Sequence, residues 1–370
     1  MKKRVVVAMS GGVDSSVAAG ILQRKGFEVI GITMCFGLKE ANKKRPSCCG
    51  IEGIEDARRV AHTLGIKHYV LNFDKVLQEK VIKDFITEYL SGRTPNPCIR
   101  CNQYLKFEQL LERAKSLGAE YLATGHYAKI VHGQKYLLKK AKDKYKDQSY
   151  FLFRLTQKQL AHTLFPLGNY TKFEVRQLAS ELNLSIKDKP GSQEICFVPD
   201  EDYRGFLKRE LARIKGTPAG IYTNIKPGLI LDMNGKVVGE HKGIPFYTIG
   251  QREGLGIAMG YPVYILKINA KNNTIVVGNK EDAFSYGLLA KELSFIAEPI
   301  EREVALRVKI RYNHQEVLSR VSPLGKNRLK IIFSKPQFAV TPGQSAVLYR
   351  SESVVGGGII ETGLTHTEIS

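Results

Sequence analysis

No stretch of this chain approaches the roughly 18 consecutive apolar residues that a membrane-spanning helix needs, which argues against a membrane partner. The opening MKKRVVVAMSGG sets basic residues before an apolar run, but that run covers only Val5 to Met9. It is shorter than the roughly 7–15 residues of a secretory h-region, and no small-residue cleavage site follows. A cytoplasmic location is the expectation. Cysteine is scarce, at 6 residues. In a reducing compartment these thiols are expected to be reactive or metal-binding, not structural disulfides. No second CxxC accompanies Cys98 and Cys101, so a complete CxxC…CxxC zinc site is excluded. Acidic residues are also short, with 36 Asp plus Glu against 56 Lys plus Arg, a net charge of +20. Such an excess favours a polyanionic partner, nucleic acid before an anionic membrane surface.

What is present is strand–helix alternation in the first half. Residues 4–9 form a β-branched run that reads as a buried strand, with helical spacing from Val13 to about Lys25. Further strands are expected at 27–34, 67–73 and 119–125, and helices at 51–65, 74–91 and 103–117. That order predicts an α/β fold, a parallel sheet covered by helices on both faces. Ligands of such sheets bind at the carboxyl ends of the strands. After about residue 215, short alternating runs separated by Gly, Pro and Asn take over, with an Asn234-Gly235 hairpin signal. From about 287 the strands lengthen and predict a small closed or partly closed β domain. The expected division is a nucleotide-binding catalytic domain at 1–212, a small β-rich central domain at 213–284 and a C-terminal β-barrel-like domain at 285–370.

Ser10-Gly11-Gly12-Val13-Asp14-Ser15-Ser16 falls where strand one meets helix one. Glycines there permit close backbone approach to a ligand, and the first helical amides lack internal partners. The arrangement suits a phosphate or pyrophosphate, with Ser10, Ser15 and Ser16 adding hydroxyls. No Lys stands at the Walker A position, so a lysine grip on a γ-phosphate is not what the loop offers. The full SGGVDSS resembles the PP-loop of the ATP pyrophosphatase superfamily, which cleaves ATP to AMP and pyrophosphate.

Cys98 and Cys101 lie in Thr94-Pro95-Asn96-Pro97-Cys98-Ile99-Arg100-Cys101-Asn102. Two prolines impose an extended lead-in. Arg100 and a helix N-terminus expected near Asn102 would both lower a thiol pKa. A CxxC serves as a redox pair or as half of a metal site. Cys196, between Ile195 and Phe197, reads in isolation as a small core residue. Cys35 and the vicinal Cys48-Cys49 have no assigned role.

Two segments suit RNA. Residues 129–146 carry Lys129, Lys135, Lys139, Lys140, Lys142, Lys144 and Lys146 with Tyr136 and Tyr145 interleaved, a hairpin or loop able to follow a phosphate backbone. Arg307, Lys309 and Arg311 alternate with Val308 and Ile310, which makes one strand face basic. Tyr312 is placed to stack on an exposed base.

Taken in order, SGGVDSS, GRTPNPxxxCN, GHYAK (Gly125 to Lys129), KDQSYFL (Lys146 to Leu152), SQEICF, GxxxYTIGQREGLGI (Gly243 to Ile257), Arg311-Tyr312 and TPGQSAVLY (Thr341 to Tyr349) closely resemble the bacterial tRNA-specific 2-thiouridylases along essentially the whole chain. The resemblance implies that ATP, with Mg²⁺, adenylates the C2 oxygen of a wobble uridine in tRNA. A persulfide on Cys196 then delivers sulfur, and Cys101 acts as nucleophile or resolving thiol, ending in a Cys101–Cys196 disulfide. A persulfide donor, a cysteine desulfurase or relay protein, would supply the sulfur. The resemblance assigns ATP contacts to Ala8, Met9, Ser10, Gly11, Gly12, Val13, Asp14, Ser15, Met34 and Gly125. It assigns tRNA contacts to Asn96, Pro97, Cys98, His126, Lys146, Asp147, Gln148, Arg311, Tyr312 and Gln344. Cys98 departs from the pattern, since many relatives carry Asp there as a candidate acid/base. The replacement opens a second route for the same function, a [4Fe–4S] cluster on Cys98, Cys101 and Cys196 with one open iron.

Overall fold

In the computed structural model, the described residues are 2–37, 51–190, 195–198, 202–213 and 225–369. Cys48, Cys49 and the 191–194 part of the second cysteine motif lie outside them. Val5, Val6 and Val7 are fully buried in β1 (Arg4–Ala8). Val5 and Val7 join one core with α1 (Val13–Arg24) and α2 (Ile51–Leu64), while Val6 joins a second core with the helical stretches 74–90 and 97–116. Burial on both faces explains why the run is continuously apolar. Each such valine contributes about 1.5–3 kcal/mol of hydrophobic burial.

β1 is central to a parallel sheet. β2 (Glu28–Cys35) and β3 (Lys67–Asn72) lie on one side of it, and β4 (Tyr121–Ala123) on the other, before the short outer strand Thr163–Leu164. Strand four is shorter than the expected 119–125, because Ala119 is still tied to the end of the preceding helix at Ala114.

The lysine-rich segment forms a hairpin, β5 (Lys129–His132) with β6 (Tyr136–Lys139), followed by a turn. The central region is a four-stranded sheet containing the Gly228–Leu231 and Val237–His241 hairpin around Asn234-Gly235. Six strands from Phe284 to Leu364 close into a barrel, the first (Phe284–Phe295) pairing with the last (Ser353–Leu364). The β5–β6 hairpin adds to this barrel sheet through Ser353 and Lys139. A pairing over that sequence separation leaves no local trace in the sequence.

Candidate functional site

Gly11 sits at φ +73, and a Cβ there would stand 2.2 Å from the Gly53 carbonyl oxygen, so only glycine fits between the loop and α2. Gly12 caps α1. Ser15 Oγ and Ser16 Oγ both donate to the Gly12 carbonyl, at 3.2 and 2.9 Å, and Ser10 N donates to Ser15 Oγ at 3.2 Å. The loop is therefore preorganised, and the first amides of the helix are left for a ligand. Ser16 is fully buried and serves this internal bonding. Gly125, just after β4, seats against the loop so closely that a Cβ would stand 2.7 Å from Ser15 N.

A cavity of about 310 Å³ opens at the carboxyl ends of β1, β2 and β4. Ala8 to Ser15, Met34 and Gly125 line it, as do Pro97, Cys98, Cys101, His126, Gln148 and Cys196. Residues far apart in the chain thus meet around one space, with the phosphate loop on one side and three cysteines on the other. Cys98 is exposed, Cys101 and Cys196 are half-buried, and Cys35 lies outside the lining.

The helix carrying the thiols starts at Pro97, not near Asn102. Pro is preorganised for the first helical position, and Asn96 is the residue before it. Cys98 consequently lies in the first turn and is exposed, with Cys101 one turn further in. Arg100, expected beside the thiols, has two acidic partners. Its guanidinium bridges Asp84 at 3.3 Å and Glu292 of the barrel at 2.9 Å, and two carboxylates offset its charge.

Of the other expected tRNA residues, Gln148 is part of the wall, while Lys146, Asp147, Arg311, Tyr312 and Gln344 form its surroundings. Gln344 Nε2 donates to the Thr94 and Pro95 carbonyls at 3.0 and 3.1 Å, so the barrel holds the lead-in to the cysteine helix. Arg311 donates to the Phe338 carbonyl at 2.8 Å. Tyr312 packs 4.5 Å from Phe151, whose ring lines the cavity. Asp147 is buried, accepting from Ala141 N and from Ser149 N and Oγ, and burial raises its carboxyl above the ordinary range. Gln148 Oε1 accepts from Tyr127 N at 3.0 Å. Lys146 is half-buried beside this turn.

Lys106, Lys172 and Lys189 line the cavity with no signal for it in the sequence. Lys172 Nζ and Tyr127 Oη both donate to Asp14 Oδ1, and burial with Asp14 alongside raises the tyrosine pKa. Lys172 opens a helix capped by a Thr171/Glu174 box. That T-x-x-E signal is legible, but its nearness to the loop is not. Lys106 and Asn102 enter from the cysteine helix, and Lys189 lines the cavity while paired with Asp56.

Among the described residues, no three His, Cys, Asp or Glu side chains gather closely enough to hold a metal ion. The three thiols share a cavity without forming a ligand set, so the cluster expected as an alternative finds no cradle in this arrangement. Asp14 is the only carboxylate among the described lining residues. A magnesium ion there would find one carboxylate and be held mainly by the phosphates it accompanies, which is an ordinary arrangement for Mg²⁺.

Comparison with known proteins places these features. Residues 3–200 match the family described as tRNA methyl transferase HUP domain, 220–279 the tRNA methyl transferase PRC-barrel domain, and 285–360 the aminomethyltransferase beta-barrel domain. The chain is 50% identical to a tRNA-specific 2-thiouridylase of Natranaerobius thermophilus, covering 97% of this chain and 98% of the relative. It is 49% identical to one from Caldanaerobacter subterraneus, covering 98% of both. It is 46% identical to one from Clostridioides difficile, covering 98% of this chain and 99% of the relative.

Proposed function

This chain belongs to the tRNA-specific 2-thiouridylase family, and from that premise we propose that it thiolates C2 of a wobble uridine in tRNA at the expense of ATP. The observation that carries the reading is the single cavity lined both by the phosphate loop and by Cys98, Cys101 and Cys196. Ala8 to Ser15, Met34 and Gly125 take the nucleotide, and Mg²⁺ arrives with its phosphates. The base enters beside Asn96 to Cys98 and His126, with the tRNA backbone along the lysine-rich turn and Arg311-Tyr312. Lys146 to Gln148 belong to that turn, and Gln344 holds the entry segment.

The uridine C2 oxygen attacks the α-phosphorus, and pyrophosphate leaves with the electron pair of the broken P–O bond. The terminal sulfur of a Cys196 persulfide then forms a bond to C2, while the C2–O bond breaks and its pair leaves on AMP. The Cys101 thiolate next attacks Cys196 Sγ. The S–S bond breaks toward the sulfur now on C2, leaving the thiolated base and a Cys101–Cys196 disulfide. An external thiol reduces that disulfide, and a persulfide donor reloads Cys196. Enclosure protects the adenylated base from hydrolysis. The test is mass spectrometry of tRNA incubated with the protein, ATP and a persulfide donor. Gain of one sulfur for oxygen at a wobble uridine, with AMP released in equal amount, is the expected result. No such gain from a protein that binds ATP and tRNA would overturn the proposal.

A further inference from the structure

Three lysines among the described residues line the cavity, and two are already neutralised, Lys172 by Asp14 and Lys189 by Asp56. Lys106 makes no salt bridge among the described residues; its nitrogen stands 3.5 Å from His126 Nε2. An ammonium group can only donate, so Nε2 carries the lone pair and Nδ1–H donates to Thr124 Oγ1 at 2.7 Å. Burial, reinforced by the Lys106 charge, lowers the His126 pKa well below its ordinary value, so the ring is neutral. Phe107 and Phe165 flank the ring at 6.1 and 5.9 Å. A neutral acceptor aims the cation without cancelling its charge.

The position of Lys106 is as telling as its charge. The segment Cys101–Leu110 is π-helical, and Lys106 lies five residues from Cys101, one i→i+5 step. On the other side, His126 directly follows Gly125, which touches the phosphate loop at Ser15. Lys106 therefore stands between the sulfur side and the phosphate side of the cavity.

Building on the ATP-dependent reading above, we propose that Lys106 binds the phosphate that links nucleotide to base, the α-phosphate of ATP before reaction and the phosphate of AMP after it. When sulfur displaces AMP, the C2–O electron pair passes to the phosphate, which changes from a singly charged diester to a doubly charged monoester. A fixed, unneutralised cation at that phosphate stabilises the departing charge.

The test is calorimetry on the full chain with AMP, adenosine and pyrophosphate as separate probes. Lys106→Met keeps the length of the stem and removes the charge. The wild type is expected to bind AMP about tenfold or more tighter than adenosine, as about 1.4 kcal/mol of phosphate binding implies. Lys106→Met should remove most of that preference and leave pyrophosphate binding unchanged, and Lys106→Arg should restore it. An unchanged AMP preference in Lys106→Met would overturn the role of Lys106 and leave the ATP reading standing. Equal loss of AMP and pyrophosphate binding would also overturn it, by making the residue a general support of the cavity. A wild type that does not distinguish AMP from adenosine would also overturn the role of Lys106, and a wild type that in addition fails to bind pyrophosphate would overturn the ATP reading.

Discussion

Lys172 Nζ lies 2.6 Å from Asp14 Oδ1, across 158 residues of chain, and Tyr127 Oη donates to the same oxygen from 2.7 Å. Asp14 is the one anionic side chain among the described residues lining a cavity suited to polyphosphate. Lys172 offsets it and fixes the acid in place. The SGGVDSS loop carries no lysine of its own, and the fold brings one from a capped helix start instead.

Removing that cation leaves Asp14 to repel the nucleotide. Lys172→Met is expected to weaken ATP binding about tenfold, equivalent to about 1.4 kcal/mol. Tyr127→Phe removes a charge-assisted hydrogen bond to the carboxylate, about 1.5–3 kcal/mol to the fold, but leaves the Lys172 cation in place to offset Asp14, so it should cost less ATP affinity. Calorimetric titration with ATP checks the order, and a larger effect in Tyr127→Phe would contradict it.

Cys101→Ser and Cys196→Ser should each abolish sulfur transfer, since both residues line the cavity and each has its own step in the exchange. Cys35→Ser should not, because its side chain lies outside the lining. Cys98→Asp should remain active in air and without iron. Loss of activity in that variant, restored to the wild type alone by iron and sulfide, would revive the cluster route.

The strand–helix alternation and the SGGVDSS loop are legible in the sequence because both are local: a β-branched run, two glycines and a helix start. The Asn234-Gly235 hairpin is legible for the same reason. The functions of Arg100 and Lys172 are not. In sequence Arg100 is simply next to Cys101, whereas in the fold Asp84 and Glu292 take its charge. Lys172 reads as a surface lysine at a helix start until the turn at Asp143, which accepts from its backbone N–H at 2.9 Å, brings it to Asp14. Lys106 reads like any helical lysine, because what surrounds its charge is a property of the cavity alone.

The exposed cations around the hairpin and barrel strand give a separate expectation. Lys144 and Arg307 are exposed, so neutralising both should weaken tRNA binding with little change in fold. The slope of log K against log salt should become shallower by about 0.7–0.9 for each RNA phosphate that is no longer neutralised. Binding measured at four or more salt concentrations checks this. An unchanged slope would assign these residues to solvation.

His126 links acidity to both stability and chemistry. Its folded-state pKa lies well below the ordinary histidine value, through burial first and the Lys106 charge second. Below about pH 6.5 the unfolded chain takes up a proton that the folded chain refuses. Stability is therefore present above that pH and falls as pH drops through it, by up to about 1.4 kcal/mol per pH unit for one site, until the folded ring titrates. His68, His241 and His314 are also lowered by burial and shift in the same direction, so the wild-type slope alone does not isolate His126. The difference from His126→Gln does. Urea unfolding between about pH 7.5 and 5.5, which spans the ordinary histidine range, should show a steeper decline in the wild type than in the variant, and equal slopes would sink the assignment. The same proton has a chemical cost. An imidazolium cannot accept from Lys106, and it would repel the ammonium from its place between thiol and phosphate. AMP binding by the wild type should therefore weaken over the acid range in which His126 titrates in the fold, while Lys106→Met, having no cation to displace, should show a flatter pH profile.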